Sequence, residues 1–161
     1  MYKRVLLFLL VSVLFSNSLF AREELCSAIV GTVGVNPQSA INNIGKPLSR
    51  KVTNVQNRHE KNTIDKTISL EYLNGYIAFY YLTKHQEYLF EGAKLERANF
   101  NSTLNSVIPQ SERQFKQMYG EPDESKPGIF LYYCGFEETR WVEIFHNNEV
   151  ITGFEFVGYI G

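Results

Sequence analysis

The chain has 161 residues, 44% of them hydrophobic and 14% aromatic, with a formal net charge of −1. Such a length makes one domain, or two small ones sharing a core, and needs no metal or cofactor to hold it together. The near-neutral balance excludes the strongly basic footprint of a nucleic-acid-binding protein.

The first element is a targeting signal. Lys3 and Arg4 precede an apolar run, Val5–Phe15, interrupted only by Ser12, and a polar stretch from Ser16 ends at Ala21. That order predicts a secretory signal over residues 1–21, cut after Ala21, and an exported chain, periplasmic or secreted, over residues 22–161. The run is about half the roughly twenty residues that a bilayer requires, and no later segment is longer, so no membrane anchor is expected. Export removes Lys3 and Arg4, so the 16 basic residues become 14 against 17 acidic ones, a net charge of −3. Cys26 and Cys134 are the two cysteines. An even number in an oxidising compartment predicts that they form a disulfide bond. Glu23-Glu24-Leu25 lacks the small residues of a lipidation site, so Cys26 is not expected to carry lipid.

Val35-Asn36-Pro37-Gln38-Ser39, then Ile41, Ile44 and Gly45-Lys46-Pro47, read as a short helix with proline at its first position and glycine past its end. Strands follow: an extra one over Val52–Gln56, then Thr63–Leu73, Tyr76–Thr83, Glu87–Glu91 and Ala93–Ala98, with a polar turn at Arg58–Asn62 and a hairpin at Asn74-Gly75. Asn99–Ser106 reads as a linker. The pattern then recurs. Val107-Ile108-Pro109-Gln110-Ser111, Phe115, Met118, Tyr119 and Gly120-Glu121-Pro122 repeat the helix signals, with Pro109 at the first helical position. Strands are predicted at Ile129–Cys134, Arg140–His146 and Val150–Val157, separated by turns at Gly135–Glu138 and Asn147-Asn148.

The expected fold is therefore α+β: two repeated units of short helix plus three- to four-stranded antiparallel meander, with helices on one face of the sheet. The units are residues 22–98 and 107–161, joined by the linker 99–106. The second unit, through the helix, Gly-x-Pro, the aromatic strands and Asn147–Phe156, resembles the small lipoprotein of the outer-membrane β-barrel assembly machinery. Taken in tandem, the two units resemble the secreted β-lactamase inhibitor proteins. The chain differs from the first in lacking a lipid-bearing cysteine, and from the second in having two cysteines far apart. The inhibitor resemblance implies that a partner enzyme would bind on an aromatic-rich concave sheet.

Strand alternation in the second unit predicts one face with Ile129, Leu131, Val142, Ile144, Val150, Phe154 and Phe156 beneath Phe115 and Met118. The opposite face is predicted to carry Phe130, Tyr132, Trp141, Glu143, Phe145 and Glu155. Two uses are open for this second aromatic face. It packs under a loop, the N-terminal segment or the other unit, or it binds a protein, since Trp and Tyr dominate binding energy at interfaces. Charge is also uneven: Lys46, Arg50, Lys51, Arg58, Lys61 and Lys66 crowd the first half, whereas Glu121, Asp123, Glu124, Glu137, Glu138, Glu143, Glu149 and Glu155 crowd the second. Such clusters are solvated loops and faces, or an acidic surface steering a basic partner.

Catalytic signals are weak. His59, His85 and His146 have no metal-ligand spacing, Asp65 and Asp123 lie in polar surroundings, and no nucleophile elbow or phosphate loop is present. Cys134 with His146 is the one nucleophile–base pairing available, as in a small hydrolase. The sequence expectation is accordingly a non-enzymatic, cofactor-free and metal-free binding protein of inhibitor or immunity type that neutralises a toxic or cell-wall-active enzyme, a basic enzyme or toxin for example. An envelope-assembly or adaptor protein is the alternative. Neither a nucleic acid nor a membrane is an expected partner.

Overall fold

The computed structural model describes residues 21–57, 59–135 and 139–158. The predicted signal peptide, apart from Ala21, lies outside them, as do Arg58, Glu137 and Glu138. Residues 21–33 form helix α1, an element the sequence reading did not assign. Its cause is a stripe of Leu25, Ile29 and Val33 at helical spacing, all fully buried. Helix α2, Pro37–Ile44, starts on a capping box: the Ser39 backbone N–H donates to Asn36 Oδ1 at 2.9 Å and the Asn36 N–H to Ser39 Oγ at 3.1 Å. Pro37 is its first residue, as predicted.

Strands β1 (Ser49–Gln56), β2 (Ile64–Tyr72), β3 (Gly75–Leu82) and β4 (Glu87–Glu96) follow as an antiparallel meander. The two short strands expected over Glu87–Glu91 and Ala93–Ala98 are one strand. A bulge opposite Ala78/Phe79 explains the interrupted pattern, because it adds Glu91 to β4 without a residue across from it. The expected linker 99–106 is largely helical. A 3₁₀ turn at Arg97–Asn99 leads into α3, Ser102–Val107, whose N-terminus is capped by Asn101 accepting from the Leu104 N–H at 2.7 Å.

Helix α4, Glu112–Tyr119, begins three residues later than expected. Ser111 is its cap, and Pro109 lies in the α3–α4 loop, outside the first helical turn. That loop is pinned elsewhere: the Ile151 N–H donates to the Gln110 carbonyl, the Glu112 N–H to the Glu149 carbonyl, and Arg97 Nη2 to the carbonyls of Ile108 and Pro109. These bonds hold residues 108–111 against the start of β8 and leave no room for an earlier helical turn. Strands β5 (Glu124–Lys126), β6 (Ile129–Tyr133), β7 (Trp141–Asn147) and β8 (Val150–Val157) complete the chain.

All eight strands form one antiparallel sheet in the order β1-β2-β3-β4-β8-β7-β6-β5. The last strands of the two meanders meet at its centre, Gly92 opposite Val157 through Glu96 opposite Gly153. One face is the core. A row runs across it from Leu70 through Ile77, Ala93, Phe156 and Val142 to Tyr132. All of them are buried, in one cluster with Leu25, Ile29, Val33, Ala40, Leu104, Phe115 and Tyr119 from the helices. Tyr72 donates its hydroxyl to the Gly45 carbonyl at 3.1 Å, and Tyr132 donates its own to the Gly120 carbonyl at 3.1 Å. Both glycines end a helix at positive φ, +111° and +83°, where a side chain would be strained. The predicted disulfide is present: Cys26 of α1 is bonded to Cys134 after β6, with Cα atoms 6.0 Å apart.

Asp65, at the start of β2, is a fully buried charged residue. Burial alone would raise its carboxyl. The Thr83 backbone N–H, the Asn57 amide and the Tyr80 hydroxyl, at 2.9, 2.6 and 3.0 Å, outweigh that and hold it below the usual carboxylate range. A carboxyl depressed in the folded state stabilises at every pH above its unfolded value of about 3.9 and loses that contribution as pH falls through its folded value. Thermal melts of Asp65→Asn and the unmodified protein are expected to differ most near neutrality and to converge as pH drops below about 4. A gap that is constant from pH 3 to 7 would contradict this.

Candidate functional site

The face opposite the core is set by the same registers. One row crosses it from Tyr76 of β3 through Lys94, Glu155 and Glu143 to Leu131. The neighbouring row runs from Gly92 through Val157 and Trp141 to Tyr133, and Phe145 stands opposite Ile129. Trp141, Glu143, Phe145 and Glu155 therefore share this open face and are each half-buried, as the sequence reading placed them.

Phe130 and Tyr132 do not join them. Phe130 pairs with Ile144 and Tyr132 with Val142, which puts both on the core face, while Ile129 and Leu131 take the open side. Tyr132 is fully buried, with the Phe115 ring packed edge-on at 5.4 Å. Phe130 is stacked by the His146 ring at 3.9 Å and covered by Lys116 Nζ at 4.4 Å. The physical reason is register. Ile129–Tyr133 is apolar at every position, so alternation within it cannot tell one face from the other. Its alignment with β7 is fixed by pairing instead. Val150, also expected in the core, is exposed.

Glu143 and Glu155 lie directly opposite each other, an arrangement that like charges disfavour. Glu155 is neutralised from its own side. Lys94 Nζ lies 3.0 Å from its Oε2, and the Tyr76 hydroxyl donates to Oε1 at 3.2 Å. Burial first, and then the Glu155 carboxylate, push the Tyr76 hydroxyl up to about 12, so it stays a donor throughout the physiological range. Lys94 also lies 5.0 Å above the Phe145 ring, which leaves that cation doubly engaged. Among the described residues Glu143 has no such partner, and it sits on β7 between Trp141 and Phe145.

At the far edge the Tyr133 hydroxyl donates to Glu124 Oε1 at 2.8 Å, and this bond, with Lys126 nearby, holds the Glu124 carboxyl below its usual range. Several acids expected to face a partner are already paired. Asp123 meets Arg22 at 2.6 Å and Glu121 meets Lys116 at 3.4 Å. Sequence reasoning missed Tyr76, Lys94 and Tyr133. The alternation Tyr76-Ile77-Ala78-Phe79-Tyr80 carried a signal for the first, but the β4–β8 junction that joins Tyr76 to Trp141's face left none.

The nucleophile reading loses its thiol, because the Cys134 sulfur is bonded to Cys26. His146 instead lies 3.4 Å from Glu112 and stacks on Phe130. No described helix is long and apolar enough to cross a membrane. Comparison with known proteins gives no match to a family model, to a curated protein or to a solved structure.

Proposed function

We propose that the chain is an exported, non-enzymatic protein-binding domain of inhibitor or immunity type, and that it grips a protein partner on the open sheet face around Trp141, Glu143 and Phe145. The observation that carries this reading is the pairing of half-buried aromatics with an uncompensated carboxylate. Trp141 and Phe145 flank Glu143, which stands opposite the Lys94-paired Glu155 and has no cation of its own among the described residues. A basic group on a partner would pair with that carboxylate and cover the aromatic rings at once. The disulfide between Cys26 and Cys134 supports export, since such bonds persist in oxidising compartments.

We further read the sheet as two helix-plus-meander units, related by a pseudo-twofold axis through the β4–β8 junction. Each unit would present its helices to the core face. Three correspondences support duplication. Each half has four strands in meander order, each ends a helix on Gly-x-Pro, and each ties that glycine's carbonyl to a tyrosine hydroxyl of its second strand. The displaced Pro109 is where the halves diverge. Duplication would make the open face one continuous surface rather than two small ones, which is the form that tandem inhibitors resembling this chain are expected to use.

The test is capture of partners from envelope extract by the oxidised protein, followed by affinity measurement with Trp141→Ala. Truncating a central Trp is expected to weaken binding by about 2 kcal/mol or more while leaving the thermal midpoint nearly unchanged. Unaltered affinity in the folded variant would move the interface off this face. Capture of barrel-assembly components would favour the envelope-adaptor reading.

A further inference from the structure

A groove of about 530 Å³ crosses the open face in the first half of the sheet. Its floor is small by composition: Ser69 of β2, Ala78 of β3 and Gly92 of β4 stand side by side in register. At Gly92 even a Cβ would lie 2.7 Å from the Phe156 carbonyl oxygen, so the central position admits no side chain without a shift of backbone. Tyr76 and Glu71 line one wall, and Glu91, the extra residue of the β4 bulge, lines the groove as well.

Glu91 is half-buried, and no ion pair or hydrogen bond to its carboxylate is found among the described residues, its backbone carbonyl alone accepting from the Gly158 N–H at 2.9 Å. Burial raises its carboxyl, with no neighbouring cation to offset the rise. After burial, the Glu155, Glu91 and Glu71 carboxylates all act on the Tyr76 hydroxyl in the same direction, so negative potential converges at that ring. The nearby cations do not cancel it. Lys94 is held by Glu155 and the Phe145 ring. Lys51 lines the groove too, from β1 opposite Ser69, so a single cation there faces the two carboxylates of Glu71 and Glu91.

We propose that this groove is a socket for one cationic side chain, arginine in first place, presented by a loop of the protein partner and paired with Glu91 against the Tyr76 ring. The inference deepens the binding reading above and rests on it for the partner. The socket itself is a property of this chain alone. Arginine fits better than lysine because its planar guanidinium can meet a carboxylate with two N–H groups while stacking on an aromatic ring. The small floor gives the aliphatic stem somewhere to lie.

The experiment titrates N-acetyl-arginine amide into the folded, oxidised, ¹⁵N-labelled protein and follows backbone amide shifts. N-acetyl-citrulline amide is the neutral isostere, and N-acetyl-lysine amide the second cation. Saturable shifts are expected at Ala78, Glu91 and Gly92 with arginine, smaller ones with lysine and none with citrulline. Glu91→Gln is expected to weaken arginine binding roughly fivefold, the loss of one partly exposed ion pair. Equal shifts with citrulline, shifts scattered over the acidic loops, or indifference to Glu91→Gln would each overturn the socket. No partner is needed, so a failed titration beside a Trp141-dependent partner would sink the socket and leave the binding reading standing. A successful titration with a Trp141-independent partner would do the reverse.

Discussion

Replacing Cys26 and Cys134 together by alanine is expected to destabilise the folded protein by about 2–5 kcal/mol. The bond closes a sequence separation of 108, and in the chain-entropy picture a loop of that size restricts the unfolded ensemble by about 4.7 kcal/mol. Its folded-state role adds to this. Cys26 belongs to α1, whose Leu25, Ile29 and Val33 are buried, and Cys134 follows β6 of the second meander, so the bond fastens the first helix to the far half of the sheet. At about 3 °C per kcal/mol for a chain of this size, the midpoint should fall by roughly 6–15 °C. Urea unfolding of the double variant, with the oxidised protein beside it, checks the prediction. A loss under about 1 kcal/mol would mean that α1 is held by packing alone.

Tyr132→Ala is the second large effect. The side chain is fully buried, packs against Phe115 and donates to the Gly120 carbonyl. Truncation of such an aromatic costs about 3–5 kcal/mol. Tyr132→Phe removes only the hydroxyl and should cost about 1 kcal/mol, because the ring still fills its site and one carbonyl loses a partner. The pair of variants separates the two faces of β6. A residue on the open face would tolerate both changes within about 0.5 kcal/mol. Denaturant curves for the two variants are sufficient, and the ordering Tyr132→Ala far below Tyr132→Phe is the result expected.

Tyr132 also marks where the sequence stops being readable. The segments of β2 and β7 are legible because apolar and polar residues alternate, and those of β3 and β8 because aromatic and β-branched residues run between turn residues. Asn74 takes the positive φ of +56° that a tight hairpin needs. The disulfide is legible because two cysteines allow one pairing. Ile-Phe-Leu-Tyr-Tyr has no alternation, so its assignment to the open face had no local basis, and two of the six residues placed there belong to the core. Glu124–Lys126 carries no pattern at all and becomes β5 only through its ladder with β6. The stripe Leu25–Ile29–Val33 was a readable helix signal that went unassigned beside the targeting segment. The groove around Glu91 had no sequence signature, since a bulge and a row of small residues acquire meaning only when strands are laid side by side.

The sheet never closes, and its two ends are unlike. β5 ends the sheet after three residues and is followed by Pro127, so it offers little to a neighbouring strand. β1 is eight residues long, pairs with β2 in unbroken register, and is exposed along nearly its whole length, Val52 included. Such an edge is a template for aggregation. What guards it is the basic cluster: Arg50 and Lys51 on β1 and Lys66 opposite Asn54 all lie exposed at this edge. Two copies approaching edge to edge would have to bring both sets of cations together. The basic run of the first half thus keeps each sheet from being extended by the next, a protection that weakens once salt shortens the Debye length to about 3 Å at 1 M.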